Sequence, residues 1–115
     1  MTHEQFKEFS DRLLAEVTAM ADSKGKEYAN GEDRFGNFNR LAARIELDRL
    51  RVWQVYFTKH LDAIESFIKN KRTFSAESIR GRFVDAITYL TLAAGMVEED
   101  IEITEVARVL NKISY

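Results

Sequence analysis

The chain has 115 residues, with 17 lysines and arginines against 19 aspartates and glutamates, and contains neither cysteine nor proline. That length suits a single domain, residues 1–115, able to bury a modest core. The lack of cysteine excludes a disulfide framework, a thiolate metal site and a cysteine nucleophile, and a net charge of −2 gives no global electrostatic footprint for DNA or RNA.

With no proline and no alternation of period two, helices are expected throughout. Thr2 and Gln5 form a capping-box pattern that opens a first helix, with Phe6, Phe9, Leu13, Val17 and Met20 at helical spacing. Its end is expected near Asp22–Gly25. A polar stretch follows, and then NFNRLAARIEL brings Phe38, Leu41, Ala42 and Ile45 to one side of a short helix. Asp48 is placed to cap a long helix to about Asn70, with Trp53, Phe57, Leu61, Ile64 and Ile68 as its core stripe. After the basic turn KNKRTF, Ser75 is the expected cap of a second long helix, with Phe74 and Ile79 as a hydrophobic staple. The core stripe there reads Ile79, Phe83, Ile87, Leu90 and Ala94. An acidic break at EEDIEI is expected to separate a last short helix from about Thr104, carrying Val106, Val109, Leu110 and Ile113. The predicted architecture is an all-α helical bundle of two long and two to three shorter helices, with a long polar and aromatic loop. The first ten residues are charged, and no apolar run approaches the roughly 20 residues that span a bilayer, so a cytoplasmic chain with no membrane partner is expected.

Both long helices carry a second face that is not purely polar. On the first it runs through Val52, Val55, Tyr56 and Ala63, with Lys59, Asp62 and Ser66 in line. On the second, Glu77, Gly81, Asp85, Thr88 and Leu92 share a side, with Tyr89 and Met96 beside them. Such faces need a cover, so a homo-oligomer is expected, with Val52, Val55, Tyr56, Leu92 and Met96 among the covered residues. Asp85 is costly to bury alone, and Lys59 and Arg82 are the available cations. A structural Lys59–Asp85 pair and a ligand site both fit this pattern. Gly81 in mid-helix costs about 1 kcal/mol relative to alanine, which either close packing or a ligand would explain. His60 borders the core stripe and reads as a satisfied structural histidine. His3 sits at the start of the first helix and reads as exposed.

The stretch KGKEYANGEDRFGNFNR, Lys24 to Arg40, holds three of the five glycines, three aromatics and three asparagines. Tyr28, Phe35 and Phe38 offer flat faces for a base. Asn37 offers a donor and an acceptor for its edge, and Gly25, Gly31 and Gly36 let backbone amides approach phosphate oxygens. Phe35 and Phe38 would equally serve to anchor the loop to the bundle. Lys24 and Lys26 open the stretch with positive charge. Arg80, Arg82 and Lys59 suit direct phosphate binding, since guanidinium forks pair phosphates in bidentate fashion.

KGKEYANGEDRFGNF, followed by VWQVYFTKHLDAI and ESIRGRFVDAITYL, resembles in order and spacing a group of small tailed-phage proteins near the nucleotide-modification-associated domains. It is more distantly similar to the MazG-like all-α nucleotide pyrophosphatases. The resemblance covers about Lys24 to Val97, and Glu27, Tyr28, Asn37, Lys59, Asp62, Glu77 and Asp85 match the polar signature of the group. It implies a helical, oligomeric fold that handles nucleotides, in the cytoplasm of an infected bacterial host. For the MazG-like relatives it implies a magnesium site on an E-x-x-E and an E-x-x-D helix. Asp62 and Glu65 supply a D-x-x-E, but Arg82 stands where the second pair needs an acid, so magnesium would have to use Asp62, Glu65, Glu77 and Asp85. The preferred expectation is a binder that sequesters a nucleotide without a cofactor, such as a cyclic nucleotide signal of antiphage defence. A magnesium-dependent nucleoside-triphosphate pyrophosphohydrolase and a purely structural or interaction protein are the alternatives.

Overall fold

The computed structural model describes residues 1–28 and 33–113. Among the described residues there are four helices and no strand: α1 (His3–Tyr28), α2 (Gly36–Ile45), α3 (Arg49–Asn70) and α4 (Ile79–Ile113). The all-α class and the helical bundle match the sequence expectation. No helix among the described residues is long and apolar enough to cross a membrane.

Several ends form as the local chemistry dictates. The Thr2 amide donates to Gln5 Oε1 (2.8 Å) and the Gln5 amide to Thr2 Oγ1 (3.1 Å), the reciprocal capping box that starts α1. The Asp48 carboxylate accepts from the Leu50 amide (2.7 Å) at the start of α3. Glu46 and Lys71 close α2 and α3 in the left-handed region, their amides donating to Ala42 and Phe67 carbonyls respectively.

Three expected boundaries move. Rather than ending near Asp22–Gly25, α1 runs through Gly25 to Tyr28. A single mid-helix glycine costs only about 1 kcal/mol, and the lysines and glutamate around it favour helix. The cap of α4 is Ser78, whose Oγ accepts from the Gly81 amide (3.0 Å), whereas Ser75 Oγ accepts from Arg82. The Phe74–Ile79 staple is therefore replaced by Phe74 lying exposed under the Arg72 guanidinium, 4.4 Å from the ring centroid. The acidic segment EEDIEI does not break the chain. It lies inside the 35 residues of α4, because nothing in it competes with helix the way glycine or proline would.

The largest correction concerns faces. Helices α3 and α4 pack antiparallel: Arg49, at the start of α3, bonds the Met96 carbonyl and Asp100, while Trp53 Nε1, one turn on, donates to the Tyr89 carbonyl (2.6 Å). The core between them and α2 is Phe38, Ala42, Val52 and Met96, edged by Leu41, Leu50, Trp53, Tyr89 and Leu92. On α4 the face expected to meet a partner chain, Thr88, Leu92 and Met96, is thus the one packed inside the protomer. The expected core stripe points outward, with Phe83 44% and Leu90 50% exposed. On α3, Val52 is buried while Leu61 and Ile68, expected in the core, are exposed. Of the residues expected at an oligomer surface, Val52 and Met96 are buried, Leu92 is partly buried, and Val55 and Tyr56 are exposed. In α1 only Val17 of the predicted stripe is fully buried.

Candidate functional site

Asp33 builds the entrance to α2. Its carboxylate accepts from the Phe35 amide (3.0 Å) and from Asn39 Nδ2 (3.1 Å), and its carbonyl accepts from the Gly36 amide (3.1 Å). Two glycines on other helices receive the side chains of this turn. A Cβ on Gly25 would stand 3.0 Å from Arg34 Nε, and one on Gly95 would stand 2.8 Å from the tip of the Phe35 ring. The absent side chains let Arg34 cross α1 and the Phe35 ring meet α4 end-on, which pins the segment from both sides. Phe35 therefore anchors the turn to the bundle rather than facing a ligand, with the Arg49 guanidinium 5.7 Å from its ring centroid.

This turn forms one wall of a cavity of about 440 Å³. Among the described residues, Lys24 from α1, Arg34 from the turn and Arg40 from α2 bring three cations to it, against one carboxylate, Asp85 of α4. Asn37, Tyr56, Thr88 and Tyr89 supply hydrogen-bonding groups, and Phe38, Leu41 and Leu92 the apolar floor. Phe38 meets Tyr56 and Tyr89 edge-on, with centroids 6.2 and 6.4 Å away, so it holds the two tyrosines in place more than it offers a face. Asn37 Oδ1 accepts from Arg40 Nη2 (2.9 Å), which orients both toward the same opening. The cavity thus combines cations for an anion with aromatic and amide groups for a planar polar ring.

Four of the sequence-predicted residues, Lys24, Asn37, Phe38 and Asp85, meet here. The side chains of Lys26, Glu27 and Tyr28, and Gly31, lie outside the described residues. Lys59 is one step away, its Nζ 5.7 Å from the centroid of Tyr56, and no Lys59–Asp85 ion pair forms. The phosphate role expected of the α4 arginines is not what their surroundings favour. Arg80 pairs with Glu16 (3.0 Å) across to α1, and Arg82 pairs with Glu77 (3.0 Å). Asp62 and Glu65 stand exposed on α3. Among the described residues no three acids or histidines gather closely enough to hold a metal ion, so Asp62, Glu65, Glu77 and Asp85 do not make the donor set that magnesium requires. Sequence reasoning passed over Arg34 and Arg40, although both lie in the stretch that drew attention for its glycines and aromatics. By sequence Tyr56 lies on, and Tyr89 beside, a face expected to meet a partner chain.

His60 sits behind the cavity wall with its ring 4.7 Å from that of Tyr89. Its Nδ1 is buried with no described hydrogen-bond partner, which departs from the satisfied histidine expected. Burial lowers its pKa; Arg82 and Lys24 push the same way, and the charges of Asp85 and Glu77 oppose them. A histidine whose folded pKa lies below its unfolded value of about 6.5 leaves the folded state with fewer protons than the unfolded state in the window beneath 6.5. Stability is then full above that pH and declines as pH falls through the folded-state pKa. Urea denaturation between pH 7.5 and 5 should show this decline, and it should be shallower in His60→Phe. Equal slopes in the two proteins would show that His60 does not titrate with unfolding.

No protein-family model, no curated protein and no solved structure matches this chain.

Proposed function

We propose that the protein binds a nucleotide in the cavity between α1, α2, α3 and α4 and retains it without turnover. The observation that carries this reading is the gathering of Lys24, Arg34 and Arg40 near Asp85, next to Tyr56, Tyr89 and Asn37, in a chain whose net charge is negative. A phosphate needs the cations, preferably in forked guanidinium form. A base needs a flat partner and a hydrogen-bonding edge, which the tyrosines and Asn37 provide. A volume of about 440 Å³ falls in the range of small-ligand pockets. The resemblance to small tailed-phage proteins extends the proposal to sequestration of a cyclic nucleotide signal in an infected bacterial cytoplasm. The pyrophosphohydrolase reading finds less support, because its acids stand apart and Arg82 neutralises Glu77.

The test is to incubate the protein with a panel of linear and cyclic nucleotides, with and without magnesium, then denature it and identify by chromatography what was kept and what was cleaved. Retention of an intact nucleotide independent of magnesium is the expected result. Release of pyrophosphate would overturn it in favour of the hydrolase, and retention of nothing would leave a structural protein. For a retained nucleotide, Arg34→Ala and Arg40→Ala should each weaken binding about ten- to a hundredfold, the loss of one charge-assisted contact of roughly 1.5–3 kcal/mol. Asp62→Ala, outside the cavity, should leave titration calorimetry unchanged.

A further inference from the structure

Most polar side chains in and beside the cavity are already engaged within the chain. Thr88 Oγ1 donates to the Val84 carbonyl (2.8 Å), Asn37 Oδ1 accepts from Arg40 Nη2, and the neighbouring Arg80 and Arg82 are held by Glu16 and Glu77. Asp85 differs from them. It is half-buried and shares the cavity with Lys24, Arg34 and Arg40, yet among the described residues its carboxylate forms no ion pair or hydrogen bond. A carboxylate withdrawn from water is stabilised by charge-assisted hydrogen bonds, so a ligand group that brings N–H donors suits it, and a phosphate, which brings only more negative charge, does not. Position separates the two ends of such a ligand. Arg34 crosses α1 at Gly25, next to Lys24, whereas Asp85 sits on α4 one turn from Tyr89, whose ring Phe38 meets edge-on.

Resting on the nucleotide-binding reading, we infer that the cavity selects guanine and that Asp85 is the residue that reads the base. Guanine carries two adjacent donors on its pairing edge, the ring N1–H and the exocyclic amine, beside the O6 acceptor. The two oxygens of a carboxylate accept from that donor pair as they do from a guanidinium fork. Asn37, whose Oδ1 is committed to Arg40, keeps its Nδ2 hydrogens for O6. Adenine and cytosine set an acceptor beside their donor, and uracil places one donor between two carbonyls, so each turns a lone pair toward the carboxylate. A site that keeps a withdrawn acceptor for a ligand donor rejects the analogue lacking that donor more strongly than an apolar pocket rejects a change of size. Tyr56 and Tyr89 offer faces that suit any base, which leaves the choice to Asp85.

Titration calorimetry without magnesium tests this, with the monophosphates of guanosine, inosine, adenosine and xanthosine and with the cyclic dinucleotides of guanine and of adenine. In each phosphate form that binds, the guanine compound should bind about a hundredfold more tightly than its adenine counterpart. Inosine monophosphate, which lacks only the exocyclic amine, should bind about tenfold more weakly than guanosine monophosphate. An adenine compound that binds as tightly as its guanine counterpart overturns guanine selection and leaves nucleotide binding standing. Binding of none of these compounds overturns both. Asp85→Asn should exchange the preference: its amide donates to the carbonyl that xanthine carries in place of the guanine amine and accepts from the adjacent ring N–H. Xanthosine monophosphate should then gain about tenfold while guanosine monophosphate loses about a hundredfold. Loss of guanosine binding without that gain overturns the role of Asp85 as reader of the base. The inosine comparison uses the unaltered protein and probes the same contact should the variant fail to fold; inosine binding as tightly as guanosine overturns it.

Discussion

Replacing Arg49 by alanine is expected to destabilise the protein by about 3 kcal/mol, the lower end of what removing one partner of a buried charge network costs. Its side chain is 12% exposed and fans out to four acceptors: Asn39 Oδ1 (3.1 Å), Glu99 Oε1 (3.0 Å), Asp100 Oδ1 (2.7 Å) and the Met96 carbonyl (3.0 Å). One guanidinium thus joins α2, the start of α3 and the middle of α4. Burial opposes its charge, but the hydrogen bonds and charges of Glu99 and Asp100 outweigh that and raise its pKa. The two carboxylates are about half exposed and regain water when the arginine is lost, which is why the cost sits at the lower end. The Met96 carbonyl and Phe35 ring have no such recourse. In thermal unfolding the change should appear as a drop in Tm of roughly 10–20 °C. Arg49→Lys should recover less than half of it, because an ammonium cannot span four acceptors in the plane of a fork. A loss under 1 kcal/mol would mean that the three helices hold their arrangement without this contact.

Met96→Ala is expected to cost about 2–5 kcal/mol, comparable to the smaller total stabilities of single domains. Met96 is fully buried, at the centre of the cluster of Phe38, Ala42 and Val52, and its truncation leaves a cavity that three helices would have to close together. Met96→Leu keeps the volume and should cost less than about 1.5 kcal/mol. Val55→Ala, at a position 63% exposed on α3, should change stability by no more than about 0.5 kcal/mol. Urea midpoints measured side by side check all three. A loss at Val55 as large as that at Met96 would show that the packed face has been assigned to the wrong side of α3.

The cavity residues divide in the same way as the core. Lys24, Asn37, Phe38 and Asp85 were legible because their residue types stand out where they fall: an amide and a phenylalanine in a glycine-rich stretch, a carboxylate on a face that should be dry. Arg34 and Arg40 look in sequence like ordinary solvated cations. Only the crossing of Arg34 over Gly25 and the bond from Arg40 to Asn37 aim them at a common space. Arg80 and Arg82 present the reverse case. They read as phosphate ligands until the packing of α1 brings Glu16 to Arg80 and the turn before α4 brings Glu77 to Arg82.

By itself the sequence determined the helical class, the first three helices and the caps at Thr2 and Asp48, because periodicity, absent prolines and short-range hydrogen bonds act within one or two turns of chain, whereas the break expected at EEDIEI is absent from α4. It did not determine which face of α4 is the inside. Phe83, Leu90 and Ile101 form one apolar stripe and Leu92 and Met96 another, and a hydrophobic pattern marks a face as one to be covered without saying by what. That choice is made by contacts far apart in sequence: Phe35 fitting against Gly95, Trp53 bonding the Tyr89 carbonyl, and Arg49 reaching Met96 and Asp100. Each needs a specific shape or donor at a specific height on a neighbouring helix, and that information exists only once the helices have met.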